Sequence, residues 1–324
     1  MTDTGCAPLL EASGLTKTYS DFKLDGVNLA VEPGSVVGLV GTNGAGKTTL
    51  IKSLLGLVRP DGGQAKLFGR SMWENGSPRT AAREAAQVKE RVGVVFDGVS
   101  FPGELRVRDV ARVMPAAYCA WDAALFSSYL ERFGLDGRKR VKELSRGMGM
   151  KLMLACALSH GADLLILDEA TAGLDPMARE EILGMLRDFM AAVEGRGILL
   201  ATHITSDLEH IADYVVCLDA GKLAFSLEKD AISDMAGIAR CRASEFEQVL
   251  DAGGFEGARF VRNSLNIDVL VPDRRAFARA FPHIALDKAD IESYMSLTLK
   301  GEPIESACGS ANHQGDRNVL NDQM

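Results

Sequence analysis

Gly41, Gly46, Lys47 and Thr48 fit the spacing G-x-x-x-x-G-K-[ST] inside the run VVGLVGTNGAGKTTL, Val36 to Leu50. That spacing suits phosphate: the glycines let backbone N–H groups curl around it, the lysine reaches the outer oxygens, and the Thr48 hydroxyl can meet Mg²⁺. Asn43, Gly44 and Ala45 complete the loop and Thr49 follows it. A second group of chemical residues comes about 120 positions later, where DLLILD ends in the adjacent acids Asp168 and Glu169. Core packing does not explain two carboxylates at a strand end. In phosphoryl transfer such an Asp holds Mg²⁺ and a neighbouring Glu polarises the attacking water. His203, after the apolar run Gly197 to Thr202, is either a contact to a γ-phosphate or a capping histidine.

These residues need a sheet to align them. Ser35 to Val40 reads as a buried strand and Lys47 to Gly56 as a helix, the flanks that a phosphate loop requires and a plain glycine-rich turn does not. Leu9 to Ser20 and Lys23 to Val31 alternate as an antiparallel entry, with Glu32-Pro33-Gly34 as a turn. Tyr19 ends the first of these; it is either a platform for a nucleotide base or an ordinary half-buried strand aromatic. Ser77 to Arg91 reads as an amphipathic helix with Arg79 and Arg83 on its polar face, and Val92 to Phe96 as a strand. Asp97 to Glu104 leaves the sheet for a helical lobe, about residues 98–160, in which Asp122 is an N-cap. Ser145 and Gly147, in LSRGM, precede a long apolar helix; they are an anion site or simply a capped helix start. Asp175 and Pro176 open the next helix as N-cap and first residue. His160, near the end of the long apolar helix, reads as a polar terminus and not a ligand, and His210 as structural.

After Phe225 no such chemistry recurs. Leu227 to Gly237 reads as helical, Phe260 to Val271 as two short strands around Asn263, and residues 227–300 as a small α+β appendage. Residues 301–324 are polar and aperiodic, which predicts a disordered tail in which Cys308 and His313 are solvated.

The whole chain, 324 residues with net charge -8, disfavours broad binding to nucleic acid or anionic lipid. Its six cysteines, at 6, 119, 156, 217, 241 and 308, have no C-x-x-C spacing, so neither a zinc site nor a disulfide framework is expected. The amino terminus lacks the apolar stretch of a secretion signal, and no run is long enough to span a membrane.

Over about residues 8–226 the order of these features resembles the ATP-binding subunit of ABC transporters. GTNGAGKT is similar to that family's Walker A, LSRGM to its signature, LLILDE to its Walker B and AGLD to its D-loop; Tyr19 falls at its adenine-stacking aromatic and His203 at its switch histidine. The resemblance implies an α/β P-loop NTPase: a RecA-like core with an antiparallel β subdomain and a helical lobe, here followed by the α+β appendage. It implies ATP and Mg²⁺, with Lys47, Glu169 and His203 catalytic. Gly41, Asn43 to Thr49, Tyr19, Ser145 and Gly147 would hold nucleotide, and Thr48, Asp168 and Asp97 the metal. It implies a transporter motor, an exporter's, at the cytoplasmic face of a membrane. Its partners would be a transmembrane permease and a second ATP-binding subunit, identical or paralogous. The competing reading is a soluble ATPase clamp on nucleic acid or ribosomes; neither two cassettes nor long coiled-coil insertions are visible, and no nucleic acid is expected. A nonhydrolysing sensor is a third. Four positions in three motifs depart from the family's pattern: Arg146 replaces a glycine and Met148 a glutamine in the signature, Asp97 stands at the Q-loop glutamine, and Ala170 takes the place of a proline.

Overall fold

The computed structural model describes residues 7–73, 78–253 and 255–305. Cys6, Cys308, His313 and the side chains of Arg79 and Arg83 lie outside the described residues. Among those described, contacts divide the chain into two units, up to Ser226 and from Leu227.

In the first unit β1 (Leu10–Thr18) pairs antiparallel with β2 (Lys23–Val31), its alternation putting Leu10 and Ala12 inside and a register shift after Ala12 returning Leu15 to the same core. Strand β3 (Val36–Gly41) is buried along its whole length, as a central parallel strand must be, and leads through residues 42–46 into α1 (Lys47–Leu54). Next come β4 (Gly62–Leu67), β5 (Arg70–Ser71), α2 (Pro78–Lys89) and β6 (Val92–Val95). The helical lobe follows: α3 (Val107–Val113), α4 (Ala123–Arg132) and α5 (Arg146–Leu158). Asp122 caps α4, its carboxylate accepting from Ala124 N at 2.9 Å and Leu125 N at 2.8 Å. Strand β7 (Leu164–Asp168), α6 (Pro176–Ala192), β8 (Gly197–Ala201), α7 (Thr205–Ile211), β9 (Tyr214–Asp219) and β10 (Lys222–Glu228) complete this part of the chain.

The architecture is α/β. A four-stranded sheet, β2-β1-β4-β5, accompanies a six-stranded one ordered β10-β9-β3-β8-β7-β6. In the second, β3 pairs parallel with both β8 and β9, and β7 with both β6 and β8. The register sets Leu39 opposite Ala201 and Ala201 opposite Asp168, so the ends of β3, β8 and β7 share one carboxyl edge. Parallel α/β sheets hold their ligands at that edge. Leu39, Leu50, Ile51, Leu54, Ile166 and Leu199 form a common core beneath it, each fully buried.

His160 corrects an expectation. It is not a polar helix end: it is 1% exposed, stacked on Tyr118 with ring centroids 3.9 Å apart, and its Nδ1–H donates to the Glu90 carbonyl at 3.1 Å. Burial holds its pKa below the ordinary histidine value, against the Glu90 hydrogen bond that raises it. Stability from the neutral ring is therefore complete above about pH 6.5 and is lost as pH falls through the folded-state pKa. The melting temperature should drop between pH 7.5 and 5.5, and His160→Phe, which keeps the stack, should drop less. Equal pH slopes in the two proteins would contradict this.

The second unit contains β11 (Gly237–Cys241), α8 (Ala243–Asp251), β12 (Arg259–Arg262), β13 (Ile267–Val271), α9 (Arg274–Ala280) and β14 (Ala285–Lys288), then α10 (Ile291–Lys300) and β15 (Glu302–Pro303). Strand order is β14-β11-β13-β12-β15, antiparallel throughout. The first six elements thus make a βαββαβ unit of ferredoxin-like order with a helix and a short strand appended. Its core holds Phe246, Val249, Phe260, Val269 and Phe277. Two expectations are corrected here. Leu227 to Gly237 is not one helix, because the alternation Leu223, Phe225, Leu227 carries β10 through Glu228, and a single wide turn, Ala231–Met235, precedes β11. Residues 301–305 belong to the fold: β15 pairs with β12 and Ile304 is 1% exposed.

Candidate functional site

The loop after β3 requires glycine at 46. Its φ is 108°, and a Cβ there would stand 2.6 Å from Phe22 Cζ. Lys47 begins α1 with its side chain folded back, so that Nζ donates to the Gly41 carbonyl at 2.8 Å and the Thr42 carbonyl at 3.4 Å. The ammonium is 3.9 Å from Glu169 Oε1. Thr48 Oγ1 donates to Asp168 Oδ2 at 2.8 Å, joining the loop to the end of β7. The other oxygen, Asp168 Oδ1, is buried with no hydrogen-bond partner. Burial pushes the Asp168 carboxyl up, the Thr48 hydrogen bond opposes that, and the Glu169 charge adds to the rise.

Glu169 takes a left-handed backbone, φ 56°, unusual for a residue with a side chain and of the kind found at functional sites. Its N–H donates to the Ala201 carbonyl at 2.9 Å, which anchors the turn to β8. Its Oε2 lies 2.7 Å from His203 Nδ1, so the two stand in contact. The site is a cleft of about 620 Å³, a size suited to a small-molecule ligand, lined by Tyr19, Asp21, Phe22, residues 42–49 and Glu169.

Tyr19 is 45% exposed at the cleft, with Lys17 Nζ 5.7 Å from its ring centroid. Phe22, at the other end of the same turn, forms a second aromatic wall beside Gly46 that sequence reasoning missed; the spacing Y-S-D-F was its only signal. Ser145 caps α5, its Oγ accepting from Met148 N at 3.3 Å, but neither Ser145 nor Gly147 lines this cleft. Asp97 also stands apart from its lining, in an ion pair with Arg146 at 2.8 Å. Asp175 caps α6, accepting from Ala178 N at 2.9 Å.

A buried network below the site was not read from the sequence. Thr171 Oγ1 donates to Asp207 Oδ2 at 2.6 Å, and Arg179 Nε is 3.3 Å from Asp207 Oδ1. Thr171 and Asp207 are 0% and 1% exposed. Burial raises the Asp207 carboxyl's pKa; the Thr171 bond and Arg179 counter it. Asp207 shares the buried side of α7 with Leu208 and Ile211, where an acid requires partners, and that was the available signal. The network ties the helix after His203 to the turn after Glu169. Thr171→Val should lower unfolding free energy by about 1–3 kcal/mol in urea, the cost of an unsatisfied buried acceptor. An unchanged urea midpoint would rule the bond out as a support.

A family model described as ABC transporter matches residues 24–172. The daunorubicin resistance ATP-binding protein of Streptomyces coeruleorubidus is 32% identical over 272 residues, which cover 82% of this chain and 81% of that one. This chain belongs to the ATP-binding subunits of ABC transporters. A Nod factor export ATP-binding protein I, from Cupriavidus metallidurans, is 35% identical over 220 residues, covering 66% of this chain and 69% of that protein. Among solved structures, one described as the ATP binding subunit of an ABC transporter superposes with TM-score 0.61 at 29% identity, over 69% of this chain and 91% of that one. The cassette is thus an ATP-binding, ATP-hydrolysing transporter subunit, and a clamp on nucleic acid or ribosomes is not favoured. No helix among the described residues is long and apolar enough to cross a membrane.

Proposed function

We propose that this cassette powers export through a separate transmembrane permease at the cytoplasmic face of a membrane, working as a pair of ATP-binding chains. The observation that carries the ATPase reading is the convergence, at one sheet edge, of Lys47, Thr48, Asp168, Glu169 and His203. Export is supported by the relative named for Nod factor export. A paired arrangement accords with Ser145 and Gly147 lying outside their own chain's cleft, which leaves them for the ATP of a second chain, identical or paralogous.

The residues present fit Mg²⁺. Asp168 Oδ1 is a buried acceptor with no partner, beside the Thr48 hydroxyl, and a small hard cation held jointly with phosphates needs only one or two protein carboxylates. Asp168 and Thr48 would hold it; when bound it offsets charge on the phosphate oxygens. Asp97, paired with Arg146 through Oδ1, is not required as a direct ligand.

The chain's own residues supply the rest. The 42–46 amides and the start of α1 cradle phosphate, and Lys47 exchanges the Gly41 and Thr42 carbonyls for phosphate oxygens. Tyr19 and Phe22 give the base a flat apolar face. Glu169 Oε2 accepts a proton from the attacking water, and His203 Nδ1 holds that carboxylate in place. Tagged protein recovered from the membrane fraction should bring down a polytopic membrane protein. Recovery with ribosomes or DNA and without any membrane protein would overturn the transporter reading.

A further inference from the structure

Arg146 and Asp97 are the two departures from the family's pattern that change charge, and in the structure they hold each other. Arg146 Nη2 donates to Asp97 Oδ1 at 2.8 Å, across 49 residues of chain. Neither charge suits its position alone. Arg146 is the first residue of α5, where the helix end is positive and favours anions. Asp97 adds a carboxylate to a region that already has Asp168 and Glu169. Paired, each offsets the other.

The guanidinium has a second neighbour. A Cβ built on Gly173 would stand 3.3 Å from Nη1, 3.4 Å from Cζ and 3.5 Å from Nε of Arg146, near-equal distances that describe a plane lying face-on over that glycine. A side chain at 173, whose φ is +71°, would press into it. One residue on, a Cβ at Gly147 would stand 3.3 Å from Leu174 Cδ2. Arg146 therefore joins three segments: the end of β6, the start of α5 and the turn ahead of α6.

This bond is weak enough to be exchanged. The side chains of Arg146 and Asp97 are 51% and 57% exposed, and ion pairs in that setting are weak. A guanidinium meets phosphate through parallel N–H bonds that are stronger and more directional. Arg146 lies between Ser145 and Gly147, so its side chain leaves from the same helix start.

We propose that Arg146 is a nucleotide-binding residue that acts across the chain pair: its guanidinium leaves Asp97 to bind the terminal phosphate of ATP held by the second chain, and Asp97 keeps it in reserve until then. The proposal rests on the paired-chain reading above.

The test titrates ATP against dimer formation, by light scattering after gel filtration, in full-length chains carrying Glu169→Gln so that turnover does not interfere. Adding Arg146→Ala should raise the ATP concentration for half-maximal dimer by about 10-fold or more. Arg146→Lys, which keeps the charge but not the fork, should recover part of that loss. Asp97→Asn frees the arginine and should lower the requirement about 2- to 5-fold. If Arg146→Ala dimerises at the same ATP concentration as its Glu169→Gln parent, the inference is overturned alone. If Asp97→Asn raises the requirement, its reserve role is overturned. No ATP-dependent dimer of the Glu169→Gln parent removes the paired-chain reading and this inference with it.

Discussion

Purified Glu169→Gln protein should bind ATP and hydrolyse it about 100-fold or more slowly than the unaltered chain, in line with the loss of a general base. The substitution is nearly isosteric. A Gln carbonyl can accept from His203 as the carboxylate does at 2.7 Å, and the backbone turn, with φ 56° and its N–H on Ala201, does not depend on the charge. Only the capacity to take a proton from water is removed. Chemistry then stops after assembly, and ATP should hold two chains together as a dimer that gel filtration detects at twice the monomer mass. Glu169 also stands 3.9 Å from the Lys47 ammonium, so neutralising it removes a competitor for that cation. ATP affinity should therefore be retained or improved. Steady-state hydrolysis near the unaltered rate would remove Glu169 from the role.

Lys47→Met should separate binding from folding. Lys47 is 7% exposed, and its ammonium is satisfied by two carbonyls, with one carboxylate at 3.9 Å. Burying a charge on those terms costs stability, and replacing it with an apolar side chain of similar length is often neutral or stabilising. The melting temperature should stay level or rise. Bound phosphate, by contrast, loses charge-assisted hydrogen bonds worth about 1.5–3 kcal/mol each, so ATP affinity should fall about 100-fold or more. Calorimetric titration of ATP and a thermal melt on one preparation check both halves. A lower melting temperature with unchanged ATP affinity would mean that Lys47 serves the fold and not the nucleotide.

The nucleotide half of the site was legible in the sequence because it is local. Gly41 to Thr49 lies on one loop, Asp168 and Glu169 at the end of one buried run, and His203 at the end of another; parallel pairing then brings the three ends to one edge. Strand β3, with every residue buried, and α6, with Asp175 and Pro176 at its start, were plain for the same reason. What escaped spans distance. The Thr171–Asp207 bond joins residues 36 apart and the Arg146–Asp97 pair residues 49 apart, and no pattern in either segment names its partner. Arg146 and Asp97 each stood out as a departure, but only the fold makes them one feature. His160 was misread because its partner Tyr118 comes from another segment. In the second unit, β11 and α8 were not foreseen, and β14 has four residues, of which three are exposed, so no alternation announced it. The appended strand Glu302–Pro303 lies in a polar stretch that composition alone assigns to disorder.

The central claim is that each chain carries half of an ATP hydrolysis site, with Walker A on one copy completed by Ser145 to Gly147 of another. ATPase activity per chain, measured against the concentration of purified protein at saturating ATP and Mg²⁺, tests this most directly. The predicted result is a specific activity that rises with protein concentration and levels off as chains pair. A specific activity constant from the most dilute measurable sample upward, with gel filtration showing monomer throughout, would contradict it.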